Sequence, residues 1–277
     1  MTERARRPGP MVRVRVHEET DGQTRRREDR LAAEEPLEIR LAWPGAEARR
    51  VWVTMRTPGH DFELAAGWLH HEGLVGPDGI HEVAYCTDVR LEPEEELNVV
   101  TVTLAGPPAT EPGHRHGASS SGSSACGVCG KDSVGDVLGL SRAPAWTGRR
   151  VSPAVVRGLP GLLRSRQRLF ERTGGLHGAA LVDATGEVLV VREDVGRHNA
   201  VDKVAGARLL AGDSPAEACL VVSGRAGFEL VQKAVASGTG ALAAVGAPSS
   251  LAVRLAREAG LDLYGFVAAD RCVRYTE

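Results

Sequence analysis

Across the second half of this chain, short apolar runs alternate with segments of helical length. That alternation restricts the fold more than any other feature. Residues 178–182 and 188–192 are two apolar runs joined by Asp183-Ala184-Thr185-Gly186, which marks a hairpin. Next come an expected helix from about 199 to 210, a strand at 219–222, a helix at 228–237 and a strand at 241–245. A third helix at 251–259 precedes a strand at 261–267. Strands that are apolar almost throughout are buried on both faces. The repeat therefore predicts an α/β sheet covered by helices on both sides.

The first half has a different rhythm. Residues 51–55 and 99–104 are β-branched and aromatic enough for strands. Between them, Thr57-Pro58-Gly59 makes a turn, and Asp61 reads as the N-cap of a helix through His71 that ends near Gly73. Phe62, Ala65, Ala66 and Leu69 recur at helical spacing and are expected to face a core. The expected organisation is a partly frayed lead-in over 1–30 and a smaller α+β domain over 31–112. A flexible arm over 113–150 and an α/β domain over 151–277 follow.

Bulk properties exclude several classes. A chain of 277 residues buries a large core in one or two domains. A formal net charge of -2 exerts no overall pull on nucleic acid or anionic membrane. No stretch approaches the length of a membrane span, and the N-terminus lacks the apolar core of a signal peptide. The first thirty residues carry nine arginines against six acids, which reads as solvated. Five cysteines, an odd number outside any short secreted framework, predict reduced thiols and a cytoplasmic location.

The arm holds Cys126-Gly127-Val128-Cys129, followed by Gly130-Lys131. Residues 113–124 before it are Gly, Ser, His and one Arg, with a single Ala, a composition that predicts a mobile tether. Sulfur relay, disulfide exchange and zinc binding are the jobs such a pair of thiols does. His70-His71-Glu72 contains a His-X-Glu that, with the later Cys-X-X-Cys, echoes the zinc deaminase signature. Against zinc, Ala125 stands where that signature requires Pro, 54 positions separate Glu72 from Cys126, and there is no second Cys-X-X-Cys. Thioredoxin-like exchange is disfavoured because the motif does not sit between a strand and a helix of a βαβ unit.

Sites in α/β sheets gather at the carboxyl ends of strands. Three segments fall there: Arg192-Glu193-Asp194-Val195-Gly196-Arg197-His198-Asn199, Ser223-Gly224-Arg225-Ala226-Gly227-Phe228-Glu229, and Pro248-Ser249-Ser250. Free N–H groups at the helix starts, helped by Gly224 and Gly227, form an anion cradle that suits a nucleotide-like ligand. Arg197 and Arg225 are candidate phosphate clamps, with Asp194 a candidate acceptor for a guanine edge or ribose hydroxyl. The plainer alternative has glycines making turns, arginines pairing with Glu193 and Asp194, and serine capping a helix. His198 reads as an ordinary hydrogen-bonding residue before an acid–base group, and His177 as lining a pocket entrance. Cys219 and Cys272 read as small core residues, and Cys86 has no evident partner. Of 34 basic residues only Lys131, Lys203 and Lys233 are lysines. Each ends a distinctive segment and is a candidate for stabilising thiolate or phosphate.

These segments together resemble the FdhD/NarQ family, the formate dehydrogenase accessory sulfurtransferases. The likeness rests on Thr57-Pro58-Gly59-His60-Asp61-Phe62-Glu63-Leu64-Ala65, on the Cys126 motif and on Thr173-Gly174-Gly175-Leu176-His177. It continues through residues 193–203, Ser223-Gly224-Arg225 and Phe228-Glu229-Leu230-Val231-Gln232-Lys233, in order, from about Leu37 onward. The resemblance implies that the C-terminal half is a three-layer αβα, cytidine-deaminase-like domain without zinc or deamination. It implies a courier that takes sulfur from a cysteine desulfurase as a persulfide. The sulfur goes to the molybdenum bis-guanine-dinucleotide cofactor, a bound substrate, before that cofactor enters formate dehydrogenase. Cys126 matches the persulfide carrier, and Cys129 assists transfer or resolves the intermediate. The family's cofactor segment near the C-terminus matches Phe266, Val267, Ala268, Ala269, Asp270 and Arg271, where relatives often carry a Gly-Arg-rich stretch. A homodimer is also implied. A cofactor-binding chaperone without covalent sulfur transfer is the alternative.

Overall fold

The computed structural model describes residues 9–76, 78–87, 97–112 and 143–277. The Cys126 motif, Lys131 and most of the expected arm lie outside the described residues.

The chain opens on a hairpin. Met11–Thr20 (β1) and Gln23–Ala32 (β2) pair antiparallel in full register, so the lead-in expected over 1–30 is ordered strand from residue 11. Val12, Val14 and Val16 alternate with Arg13, Arg15 and His17, a period of two that the many charges obscure. Ion pairs such as Arg13–Glu28 at 3.3 Å and Arg27–Glu18 at 3.2 Å cross the pair.

Glu35–Trp43 (β3), Ala46–Arg56 (β4), Ile80–Tyr85 (β5) and Val99–Leu104 (β6) form a four-stranded sheet in the order β4-β3-β6-β5. The expected strand at 51–55 is the second half of β4, and that at 99–104 is β6. Asp61–His71 (α1) packs on this sheet through Leu64, Ala65, Trp68 and Leu69, with Trp68 stacked on Trp52 at 4.7 Å. Its start departs from the sequence reading. His60, at φ 58°, is the N-cap, and Asp61 is already helical. The Asp61 carboxylate instead accepts from the Gly59 N–H at 3.1 Å and from the buried Arg56 guanidinium at 3.1 and 3.0 Å. A buried carboxylate aimed back at Arg56 is not available to cap the helix.

The second half begins with Pro153–Arg164 (α2), where Ser152 accepts from the Val155 N–H and Pro153 occupies the first helical position. A short helix, Arg168–Thr173 (α3), leads into His177–Val182 (β7) and Val188–Asp194 (β8). Arg197–Leu210 (α4), Cys219–Val222 (β9), Phe228–Ala236 (α5) and Ala241–Ala244 (β10) follow. Ser250–Ala259 (α6), Asp262–Gly265 (β11) and Val273–Arg274 (β12) complete the chain. The six-stranded order is β12-β11-β10-β9-β7-β8; β9, β10 and β11 run parallel, and β7 lies antiparallel to both β9 and β8. Residues of α4, α5 and α6 pack on one face with Leu181, Leu220, Leu242 and Leu263. Residues of α2 pack on the other with Ala180, Val221, Ala243 and Tyr264. Both faces of the sheet are therefore covered, as its apolar strands require.

The two halves meet where α1 crosses α4. A Cβ at Gly206 would lie 1.8 Å from the Glu63 carbonyl oxygen, and one at Gly67 would lie 1.9 Å from that of Asp202. Only glycine permits this backbone approach.

Candidate functional site

One end of the six-stranded sheet gathers β8's end, β7's start and the loops leaving β9, β10 and β11. The predicted residues there separate into two sets. The first is buried and paired within the protein, apart from Asn199 Oδ1, which has no hydrogen-bond partner among the described residues. Asp194, fully buried, accepts from Lys203 Nζ at 2.6 Å and from the N–H groups of Gly196 at 2.8 Å and Thr57 at 3.2 Å. Asn199 Nδ2 adds a further donor at 3.1 Å. Burial pushes the Asp194 carboxyl up, against the pull of Lys203. Both oxygens are occupied, so the structure gives Asp194 no free edge for a guanine or ribose. His198 is likewise buried, with Nε2 2.8 Å from Glu229 Oε2.

Lys203 and Lys233 belong to the same buried layer. Lys233 Nζ meets Asp202 Oδ1 at 2.6 Å, and Asp202 Oδ1 also meets His71 Nδ1 at 2.5 Å. His71 Nε2 is 2.8 Å from Ser237 Oγ. Burial holds the His71 imidazole below its usual range, so the neutral ring donates from Nδ1 to Asp202 and accepts the Ser237 hydroxyl proton at Nε2. Arg192 grips Glu63 with bonds of 2.5 and 2.7 Å. These contacts join the two halves. Two of the three lysines thus stabilise carboxylates rather than a thiolate or phosphate.

The second set is accessible. Among the described residues, Arg197, partly buried, and Arg225, exposed, have no hydrogen-bonding or ion-pair partner. Glu193, their expected partner, instead accepts from the Leu169 and Phe170 N–H groups at 2.9 and 2.8 Å and so caps α3. The Ser223 hydroxyl accepts from the Gly178 N–H at 2.9 Å, and Gly224 lies beside the His177 ring. Phe266, 40% exposed with φ 49°, carries the Arg271 guanidinium 5.6 Å from its ring centre. Val267 is buried, and Ala268 and Arg271 bond to each other's backbone at 2.8 and 3.2 Å, closing a tight loop around Ala269 and Asp270. Phe266 hangs from the Gly246 carbonyl at 3.1 Å, which links this segment to the loop after β10.

Beside this rim opens a cleft of about 870 Å³, walled by Leu163, Gln167, Phe170, Leu176, His177 and Ser223 among others. His177 therefore lines a pocket as its sequence position suggested. Burial, then Arg197 and His198, lower its pKa, which favours the neutral ring. Arg164 stacks 3.8 Å over Phe170. An apolar cleft with a few polar groups at strand ends accommodates a flat, partly polar ligand, and the unpaired arginines suit an anionic extension. Sequence reasoning missed Gln167 and the α2–α3 wall, because neither carries a motif.

The remaining thiols are accounted for. Cys219 is buried, with its pKa pushed up to about 12 by desolvation. Cys272 packs at the core's edge, and Cys86 accepts from Arg40 Nη1 at 3.7 Å.

Fold and site together define a two-part α/β protein with a strand-end cleft and a Cys-X-X-Cys held apart in sequence from it. The chain matches the model of the FdhD/NarQ family over residues 32–277 and belongs to that family. A relative from Mycolicibacterium paratuberculosis, named sulfur carrier protein FdhD, is 48% identical over 95% of this chain and 96% of its own. Another of the same name, from Streptomyces avermitilis, is 46% identical over 93% and 89%. A crystal structure from Desulfotalea psychrophila, provisionally designated a formate dehydrogenase accessory protein, superposes with a TM-score of 0.75 at 22% identity. It covers 97% of this chain and 98% of that one, and the likeness speaks for the fold. Among the described residues no helix is long and apolar enough to cross a membrane.

Proposed function

We propose that the protein is a sulfurtransferase that carries sulfur on Cys126 as a persulfide and delivers it to a molybdenum bis-guanine-dinucleotide cofactor held at the strand-end rim and cleft. The observation that carries this reading is family membership over nearly the whole chain, with relatives named sulfur carriers, together with the Cys126-X-X-Cys129 pair. The donor is a cysteine desulfurase and the recipient enzyme a formate dehydrogenase. The protein acts in the cytoplasm as a homodimer, its C-terminal half a cytidine-deaminase-like layer structure.

The loading step is a displacement at sulfur. The Cys126 thiolate attacks the terminal sulfur of the desulfurase persulfide, the donor's S–S bond breaks, and its thiolate leaves with the bonding pair. Gly-rich backbone N–H groups and Lys131 favour the thiolate. Arg197, Arg225 and the segment from Phe266 to Arg271 would meet the anionic, guanine-bearing cargo. Val267 contributes packing, Asp270 and Ala268–Ala269 backbone, and Ser223 and Gly224 the floor.

Chain geometry is compatible with both tasks. Ala109 and Thr110 bond to Leu74 and Gly73 at 2.9 and 3.2 Å, just past His71. Ala143 and Pro144 abut Gly238, next to Ser237. Both roots of the arm thus lie around the His71–Ser237 bond, at the strand end opposite the cleft. Cys126 is 16 residues beyond Thr110, and 16 residues span at most about 55 Å. Helix α2 connects the two ends over only about 18 Å.

The test is intact mass after incubation with a cysteine desulfurase and cysteine. Wild type should gain one sulfur atom, lost again on reduction, and Cys126→Ala should gain none. A folded wild type that gains nothing would favour a cofactor chaperone without covalent transfer.

A further inference from the structure

Gln167 links α2 to α3 at the wall of the cleft and is only 3% exposed. Its amide lies against Gly178, where an added Cβ would stand 2.6 Å from both Cδ and Nε2. Yet Nε2 has no hydrogen-bond partner. Local structure does not explain its position, since the first N–H groups of α3 are already satisfied by Glu193. A buried amide left unpaired carries its full desolvation cost, and such groups in native proteins call for an explanation. The last torsion of a glutamine is soft, so the amide can turn toward the cleft with little strain.

We propose that Gln167 is the positioning residue for the base bound in this cleft, an assignment that rests on the guanine-nucleotide reading above. Its carboxamide pairs with the lactam edge of the ring, Nε2 donating to O6 and Oε1 accepting from N1–H. Phe170, braced by Arg164 at 3.8 Å, and Leu163 and Leu176 supply flat apolar walls for the ring. The base then satisfies the donor that the empty cleft leaves unpaired.

The test pairs a protein change with a ligand change. Guanosine monophosphate and its O6-methyl analogue, which lacks both the O6 carbonyl and N1–H, are titrated into wild type, Gln167→Leu and Gln167→Glu. Gln167→Leu should bind guanosine monophosphate about tenfold more weakly, the loss of one well-made hydrogen-bonded pair, while its unliganded melting temperature stays level or rises. Gln167→Glu, which keeps the shape but not the donor, should lose affinity too. The O6-methyl analogue should bind wild type and Gln167→Leu alike. Undiminished binding of guanosine monophosphate by both variants overturns the assignment. So does an equal loss for both ligands in folded protein, which marks a merely structural role. A wild type that binds no guanosine monophosphate overturns the cleft reading itself, and the Gln167 assignment with it.

Discussion

The rim of the six-stranded sheet and the seam between the two halves draw on neighbouring stretches of sequence but use charge in opposite ways. At the seam, Asp194 with Lys203 and Asp202 with Lys233 and His71 are buried, and nearly every polar atom meets an opposite group. At the rim, Arg197 and Arg225 have no partner among the described residues, and Phe266 is exposed. Buried charge is tolerated only when paired, whereas unpaired cations beside a cleft are what an anionic ligand completes. A run such as residues 193–203 therefore serves both regions at once. Its first helical turn faces the rim through Arg197, and Lys203, less than two turns further on, locks the seam.

Lys203 carries the largest share of the contrast between seam and rim. Lys203→Met removes the cation and leaves Asp194 buried against the dipoles of Gly196, Thr57 and Asn199 alone. Loss of one partner from a buried pair costs about 3–5 kcal/mol. A fall of that size in denaturant stability, with unchanged slope, is expected. A loss below about 1 kcal/mol would mean that the pair behaves like a surface ion pair and that the seam is not what holds the halves together.

The seam also predicts acid sensitivity. Burial, aided by His71, lowers the His70 pKa to about 4, against the weaker opposing pull of the Val75 backbone and Asp202. The charged and titratable groups around it are His71, Asp202 and Lys233. In the unfolded chain the imidazole titrates near its ordinary value of 6.5. The folded pKa is the lower one, so the unfolded chain binds the proton first. Stability is complete above pH 6.5 and falls as the pH drops from there toward 4, by about 3 kcal/mol for this one ring. His70→Phe should flatten that part of the pH profile. A variant that keeps the full slope would assign the sensitivity to His71, which burial shifts in the same direction.

What the sequence disclosed follows the range of the interactions. The strands at 99–104 and 219–222 and the helix through His71 depend on local apolar periodicity; the structure has both strands at those residues and the helix with one residue more at its start. The hairpin of β1 and β2 escaped because its alternating valines are diluted by charges whose pairing is visible only across strands. Lys233 looked like a free chemical group because its partner, Asp202, stands 31 residues away, and the bond from His71 to the same carboxylate, which spans 131 residues, has no local signal either. Asp194 looked like a ligand acceptor for the same reason, since Thr57 reaches it from 137 residues away. The strand-end position of Arg197, Ser223 and Arg225 was readable, because α/β topology alone puts those loops together. Gln167 was not, since its interest lies in an absent partner.

Arg225 gives the smallest effect on stability and the finest test of the division between seam and rim. Its side chain is exposed, and its stem passes close to Gly246, where an added Cβ would lie 2.9 Å from Cγ. Arg225→Ala removes no described ion pair, so stability should change by less than about 0.5 kcal/mol. A guanidinium bound to phosphate through charged hydrogen bonds, by contrast, contributes about tenfold or more in affinity. The expected result is an unchanged melting temperature with clearly weaker binding of guanosine monophosphate, and a steeper fall for guanosine diphosphate, which offers more charge. An unchanged affinity would remove Arg225 from the site and leave Arg197 and Arg271 as the cations of the rim. A large loss of stability would show that Arg225 belongs to the fold's internal pairing, and the contrast between rim and seam would then lie elsewhere than at the end of β9.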